Sequence, residues 1–193
     1  MTELAIIIDL ETGGTRPGDA IFSIGAVCVD LDTGNMGDFF YRIIDVESAQ
    51  KHGLLTIDTM LWWGKQSEDA KSAVFNKEHP DRVDMYDAIQ DFGTWFAACG
   101  ATTVWGNGAT FDISLIEHFF LKFEIPIPWQ FYNTRDIRTL VHLVGREYRD
   151  QFEFAGIEHH ALHDAAHEAK YTSAMWQRAR KGLEMIPDGE TIG

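Results

Sequence analysis

Five apolar residues, Leu4-Ala5-Ile6-Ile7-Ile8, break directly into Asp9-Leu10-Glu11 and then into Gly13-Gly14. A continuous apolar run of this length is the pattern of a strand buried on both faces. Such a strand needs helices above and below it, which constrains everything that follows. Side chains two apart on a strand share a face, so Asp9 and Glu11 project together where the strand ends. Two carboxylates this close repel unless a cation lies between them, and hard oxygen ligands suit Mg²⁺ or Mn²⁺. Alone, Asp-x-Glu is equally the polar end of an ordinary strand.

The remaining elements follow from periodicity and punctuation. A second strand runs through Ile21–Val29 and a third through Asp38–Ile44, with turn chemistry at Asp32-Thr33-Gly34-Asn35 between them. The period then changes. Ile57, Met60, Leu61 and Gly64 suggest a helix entered at Thr56, and Asp84 to Cys99 carries Ala88, Ile89, Phe92, Trp95 and Phe96 on one face. Thr102–Trp105 is a fourth strand and Phe131-Tyr132 a short fifth. Between these two strands, Ile113–Phe123 reads as a helix stopped by Pro126 and Pro128. Ile137–Val144 and Ala161–Lys181 are the last helices. Three antiparallel strands followed by crossovers make a mixed five-stranded α/β sheet flanked by helices. Residues 1–193 read as one domain, with a frayed tail after about residue 185.

Net charge is −14, which argues against broad coating of nucleic acid, and the excess of acid is concentrated in the first hundred residues. No apolar run approaches the roughly 20 residues of a membrane span. The acidic N-terminus runs straight into a strand and does not read as a signal peptide. Two cysteines, Cys28 and Cys99, imply no disulfide framework, and a reducing cytoplasm fits.

Two more stations carry chemistry. Asp112 ends Gly106-Asn107-Gly108-Ala109-Thr110-Phe111-Asp112, a glycine-punctuated turn at a helix start. An aspartate there is also what the helix dipole favours, although the glycines let backbone approach a ligand. Farther on, Asp164 follows His159 by five positions. On one continuous helix the two would diverge by roughly 140°, so His159 must lie on the preceding loop to meet Asp164. An imidazole beside an activated water is then a general base. A zinc grip is the rival, because His159/His163 and His163/His167 are i,i+4 pairs, but no His-Glu-x-x-His accompanies them. His160, His163 and His167 otherwise read as surface or packing histidines. Together, four carboxylates and one histidine suit two divalent cations and an attacking water, hence hydrolysis of a phosphodiester.

Asp-x-Glu-Thr-Gly, Asn-x-x-x-Phe-Asp and His-x4-Asp, in this order, resemble the three motifs of the DEDDh 3′–5′ exonucleases, over residues 5 to about 180. That resemblance implies an RNase H-like fold. It also implies two Mg²⁺, with Mn²⁺ able to substitute, held by Asp9, Glu11, Asp112 and Asp164, with His159 as base. Thr12 and Gly13 would offer backbone to the terminal nucleotide. One departure is Gly108, where many relatives carry a larger residue. A narrower likeness, in residues 56–67 and 133–139, is to the T-even phage exonucleases of the exonuclease A type. Mycobacterial-type exoribonucleases share the architecture.

Adjacent helical residues face about 100° apart, so of Trp62 and Trp63 one is expected in the core and the other exposed as a stacking platform for a base. The alternative wedges both between helices. Phe111 is more often core than contact. Arg135 and Arg138 are phosphate contacts, or Arg135-Asp136 only caps a helix. The expected activity is metal-dependent removal of nucleoside 5′-monophosphates from single-stranded DNA 3′ ends. An exoribonuclease is the first alternative, and a silent 3′-end binding module the second. Oligomeric state is open, a homodimer included.

Overall fold

A computed structural model describes residues 3–184, so the expectation about the tail lies outside the described residues. Strands β1 (Leu4–Thr12), β2 (Ile21–Asp30) and β3 (Met36–Ile44) form an antiparallel meander. Two more, β5 (Thr103–Gly106) and β6 (Thr134–Asp136), continue from β1 in parallel. The two-residue β4 (Arg82–Val83) extends the other edge, beside β3. The order across the sheet is β4-β3-β2-β1-β5-β6, which places β1 near the centre.

The helices are α1 (Val46–His52), α2 (Ile57–Trp63), α3 (Glu68–Phe75), α4 (Met85–Cys99), α5 (Asp112–Lys122), α6 (Ile137–Val144), α7 (Arg146–Arg149) and α8 (Ala161–Glu184). Alternation along β1 divides the core in two. Ile6, Ile8 and Leu10 face α4 and α5, packing with Phe92, Phe96, Ile116 and Phe120. Ala5 and Ile7 face α6 and α8, packing with Leu140, Ala165 and Ala169. Asp9 and Glu11 continue this second face, so their carboxylates leave the core on the side that α8 covers.

Three features differ from the sequence reading. The sheet has six strands rather than five, because β4 is too short to show a pattern. Phe131-Tyr132 is not a strand: Phe131–Asn133 forms a 3₁₀ turn with both rings exposed, and pairing with β5 begins at Thr134. Aromatic β-propensity reflects packing on a pleated surface, and here no surface receives the rings. The third concerns α2, whose Ile57 and Leu61 are 78% and 62% exposed. The helix is anchored instead by Trp63, whose indole Nε1 donates to the Thr12 carbonyl at 2.9 Å. Helices α1 and α3 lack a periodic apolar stripe. Their sequence marks are the caps Asp45, which accepts from Ser48 N–H, and Ser67, which accepts from Ala70 N–H.

One contact positions the second core face against the carboxylates. Asp9 pairs with Gly25 across β1 and β2. A Cβ at Gly25 would lie 2.1 Å from the carbonyl carbon of Ala161, so the start of α8 rests on bare backbone beside Asp9. Any side chain there lifts the helix that carries Asp164. Gly25→Ala should therefore lower stability by about 1–3 kcal/mol through overpacking, and turnover should fall by more than the lost folded fraction. Denaturant unfolding and nuclease assays on one preparation check this; a variant as stable and active as wild type would exclude the close approach.

Candidate active site

Past its last β5 partner, Ile8, β1 runs on to Thr12 paired with β2 alone, and there a cleft of about 620 Å³ opens, lined by residues of β1, α5 and α8. Each carboxylate reaches it from a different element. Asp9 and Glu11 come from β1, Asp112 from the first turn of α5, and Asp164 from the first turn of α8. Glu11 and Asp112 are buried, at 6% and 2% exposure. Glu11, His159 and Asp164 bring one ligand atom each to within 4.8 Å of one another. Asp112 takes a backbone hydrogen bond from Leu10, just beyond the end of the β5 ladder. Its Oδ1 has no hydrogen-bond partner.

His159 lies on the turn before α8 with φ of 62°, a left-handed conformation costly for a residue with a Cβ. The surroundings hold it there. The backbone N–H groups of His159 and His160 lie near the Asp164 carboxylate and favour its ionised form, the Asp164 N–H donates to the His160 carbonyl, and the His159 ring stands edge-on to Trp62, centroids 4.8 Å apart. The next residue, His160, is sandwiched between Tyr41 and His163 at 4.5 and 4.0 Å. His163 accepts the Ile157 N–H at Nδ1, and His167 packs on Phe154 and Tyr171. The histidines of α8 are thus spent on packing and backbone. Among the described residues the three-ligand group is Glu11–His159–Asp164, one imidazole and two carboxylates rather than paired histidines of α8.

Trp62 and Trp63 divide as their angular separation requires: Trp62 is 42% exposed, Trp63 2%. Both border the cleft, as do Thr12, Phe111 and Arg138. The Arg138 guanidinium lies over Gly108, where a Cβ would sit 3.0 Å from Cζ; Gly108 also has φ of 111°, so a larger residue there is excluded twice. Two expected contacts are not brought to the cleft. Gly13 is buried under Leu55 and Phe22, and its carbonyl accepts the Thr56 N–H. Arg135 turns back to donate to the carbonyls of Tyr132 and Thr134, while Asp136 caps α6 and takes the Ala109 N–H. The sequence reading quoted Asn107 only as part of the Asn-x-x-x-Phe-Asp motif and gave it no role, and it missed Glu168, Thr15, Asp58 and Thr59; all five border the cleft. Of the four missed, only Glu168 carried a signal, its i,i+4 spacing from Asp164.

The electrostatics follow from crowding. Burial, then the charges of Glu11, Glu168, Asp112 and Asp164, hold Asp9 well above the ordinary carboxylate range. Glu11 is raised by burial and then by Asp164 and Asp112. Burial pushes Asp112 up to about 7 and Asp164 up to about 6. Such a set is costly to ionise without counter-charge. Unpartnered carboxylate oxygens, oxygen-only acids and one imidazole fit hard divalent cations.

The comparisons place this geometry in a family. The Rv2179c-like 3′-5′ exoribonuclease domain matches residues 4–176. The chain belongs to that family. It is a 3′–5′ exonuclease of the DEDDh type with an RNase H-like fold, acting on nucleic acid. An exodeoxyribonuclease of Enterobacteria phage T4 is 24% identical, over 95% of this chain and 93% of its own. Among solved structures, the nuclease domain of 3′hExo bound to rAMP, a DEDDh member, superposes with a TM-score of 0.62 at 12% identity, covering 98% of both chains. The E. coli ExoI–ssDNA complex gives 0.62 at 16%, over 96% of this chain and 42% of that one. Among the described residues of the exonuclease, no helix is long and apolar enough to cross a membrane.

The raised carboxylates predict a pH dependence of stability. An acid raised above its unfolded value near 3.8 keeps extra protons in the fold, so stability is full below that value and is lost as pH rises through about 6 to 7. The metal-stripped exonuclease should lose melting temperature between about pH 4.5 and 7.5, and Asp112→Asn should flatten the slope. Saturating Mn²⁺ at pH 7.5 should restore it. A wild-type slope equal to that of Asp112→Asn would show that Asp112 ionises without penalty.

Proposed function

We propose that this exonuclease, acting as one domain, removes nucleoside 5′-monophosphates one at a time from single-stranded DNA 3′ ends. Convergence of Glu11, His159 and Asp164 on one point carries the reading. Asp9, Glu11, Asp112 and Asp164 hold two Mg²⁺, for which Mn²⁺ substitutes. When bound, such cations acidify the attacking water and stabilise the charge on the phosphate and the leaving 3′ oxygen. His159, fixed by Asp164 and Trp62, takes the proton of the attacking water. The water oxygen bonds to phosphorus as the P–O3′ bond breaks, and the 3′ oxygen leaves with a solvent proton. Trp62 offers its exposed face to a base, Arg138 its guanidinium to a phosphate, and Phe111 and Thr12 border the terminal nucleotide. Gly13 and Arg135 act behind this surface rather than on it.

DNA is favoured by the similarity to the phage exodeoxyribonuclease, which extends over nearly both whole chains. RNA is the second reading, favoured by the exoribonuclease family that matches most of the chain. Matched 5′-labelled DNA and RNA oligomers decide between them. A ladder of shortening labelled products with Mg²⁺ or Mn²⁺ is expected, faster for DNA; immediate release of the label as a mononucleotide would overturn 3′ entry. A fully paired blunt end should stall the enzyme, because a chain of net charge −14 lacks a long basic groove for a duplex.

Asp9→Asn and Asp112→Asn should each cost at least about 100-fold in turnover with little loss of fold, as expected when charge stabilisation in the transition state is removed. His159→Ala should cost roughly 10²–10⁴-fold in rate and little in affinity. Wild-type turnover by a folded Asp112→Asn protein would sink the assignment.

The tryptophans separate packing from binding. Trp62→Ala should weaken oligonucleotide binding by roughly 1–3 kcal/mol and leave stability nearly intact. Trp63→Ala should instead lower stability by about 3–5 kcal/mol. Fluorescence titration and denaturant unfolding distinguish them, and two destabilised variants with unchanged binding would assign both rings to packing.

A further inference from the structure

Glu168 is the least explained group in the molecule. It stands on α8 one turn after Asp164, borders the cleft and is 6% exposed. The Asn107 side chain lies beside it and favours its ionised form. Its Oε2 is buried with no partner. Asn107 is itself fixed, because its Oδ1 accepts from Arg138 Nε at 3.3 Å, which leaves its amide N–H to donate. Arg138, Asn107 and Glu168 thus stand in a row that ends in a free carboxylate oxygen at the cleft.

Two ordinary explanations fail. A buried ion pair would place a Lys or Arg on the carboxylate, and Glu168 takes part in none of the ion pairs found among the described residues. A neutral carboxyl serving the fold would use its O–H, and Oε2 finds no acceptor. The charged neighbours of Glu168 are mostly acids, Asp112 beside it with Asp164 and Asp9 close by; the Arg138 guanidinium is near enough to favour the ionised forms of Glu168 and Asp112 but pairs with neither. Asp112 also points an unpartnered oxygen, Oδ1, from a residue 2% exposed. Two orphaned, deeply buried carboxylate oxygens at one place indicate a missing positive charge rather than a structural polar contact.

We propose that Glu168 is a fifth carboxylate of the cation site, set beside Asn107, and that it completes an inner cation position with Asp9 and Asp112, separate from an outer position at Glu11 and Asp164 beside which the His159 imidazole stays free to act as the base. The inference rests on the two-cation reading above. Its division of labour follows from placement. Asp112 and Glu168 on the inner side are buried, whereas Asp164 on the outer side is half-buried, next to His159, whose ring stands edge-on to the exposed Trp62. Divalent cations take several oxygen ligands, and an enclosed site has less room for water to supply them. A fifth protein carboxylate fills that need and binds the inner cation more tightly than the outer.

The test uses the full chain, stripped of metal and without substrate. Mn²⁺ binding is measured by isothermal titration calorimetry and by the rise in melting temperature. Wild type is expected to bind two cations of unequal affinity. Glu168→Gln, nearly isosteric and unable to carry the charge, should weaken the tighter site by about 10–100-fold, the range found when supporting groups at metal sites are removed. It should leave the weaker site unchanged. Its metal-free form should melt higher than wild type, because one buried negative charge is gone, and should gain less on adding Mn²⁺. Asn107→Ala keeps the carboxylate but removes its polar neighbour, and should fall between the two; it decides the matter if Glu168→Gln does not fold. Wild-type affinity at both sites in either folded variant overturns the role of Glu168 and leaves the exonuclease reading standing. A wild-type chain that binds no divalent cation overturns the two-cation reading instead.

Discussion

Like charge forced together on one face of a strand end is the condition around which this protein is organised. Asp9 and Glu11 share the odd face of β1, and the same alternation that buries Ile7 against α8 sends both carboxylates toward that helix. Helix α8 then adds Asp164 and Glu168, and α5 adds Asp112. Such a cluster is costly to ionise without counter-charge: burial raises Asp9, Glu11, Asp112, Asp164 and Glu168 alike, and repulsion within the cluster adds to the shifts of Asp9, Glu11 and Glu168. The fold supplies the energy that holds them there, through two apolar cores on either side of β1. Cation binding is therefore coupled to stability as well as to chemistry.

The close contacts that set the cleft are made where side chains are missing or fixed. Bare backbone at Gly25 admits the start of α8, and Gly108 admits the Arg138 guanidinium. Trp63 ties α2 to the end of β1 through the Thr12 carbonyl, so the helix that presents Trp62 is anchored to the strand that carries Glu11. The His159 turn, left-handed and otherwise unfavourable, is fastened by Asp164 below and by the Tyr41–His160–His163 stack behind. His159, the clustered carboxylates and the exposed Trp62 ring are thus tied together through contacts of β1, α2 and α8.

A strongly acidic chain that acts on a polyanion must keep its attraction local. Arg138 is the basic residue bordering the cleft, and its guanidinium is oriented by Asn107. Trp62 on α2 borders the cleft and is exposed, an apolar face suited to a base rather than a phosphate.

The amino-acid sequence determined the strand that carries Asp9 and Glu11, the antiparallel opening of the sheet and most of the long helices, because these depend on apolar period and on Gly and Pro punctuation. It also marked Asp112, and His159 with Asp164, as stations of one reaction, since their spacing has few other uses in combination. Tertiary structure alone decided the rest. Phe131-Tyr132 lost its strand because pairing is settled by the partner backbone of β5, not by aromatic propensity. Arg135 and Gly13 left the site because each found backbone partners nearer than any ligand. Glu168 entered it because helical spacing placed it beneath Asp164, and only the packing of α8 onto Gly25 turned that face toward Asp9. Local pattern fixes which face a residue occupies; what lies opposite that face is set by contacts between elements far apart in the chain.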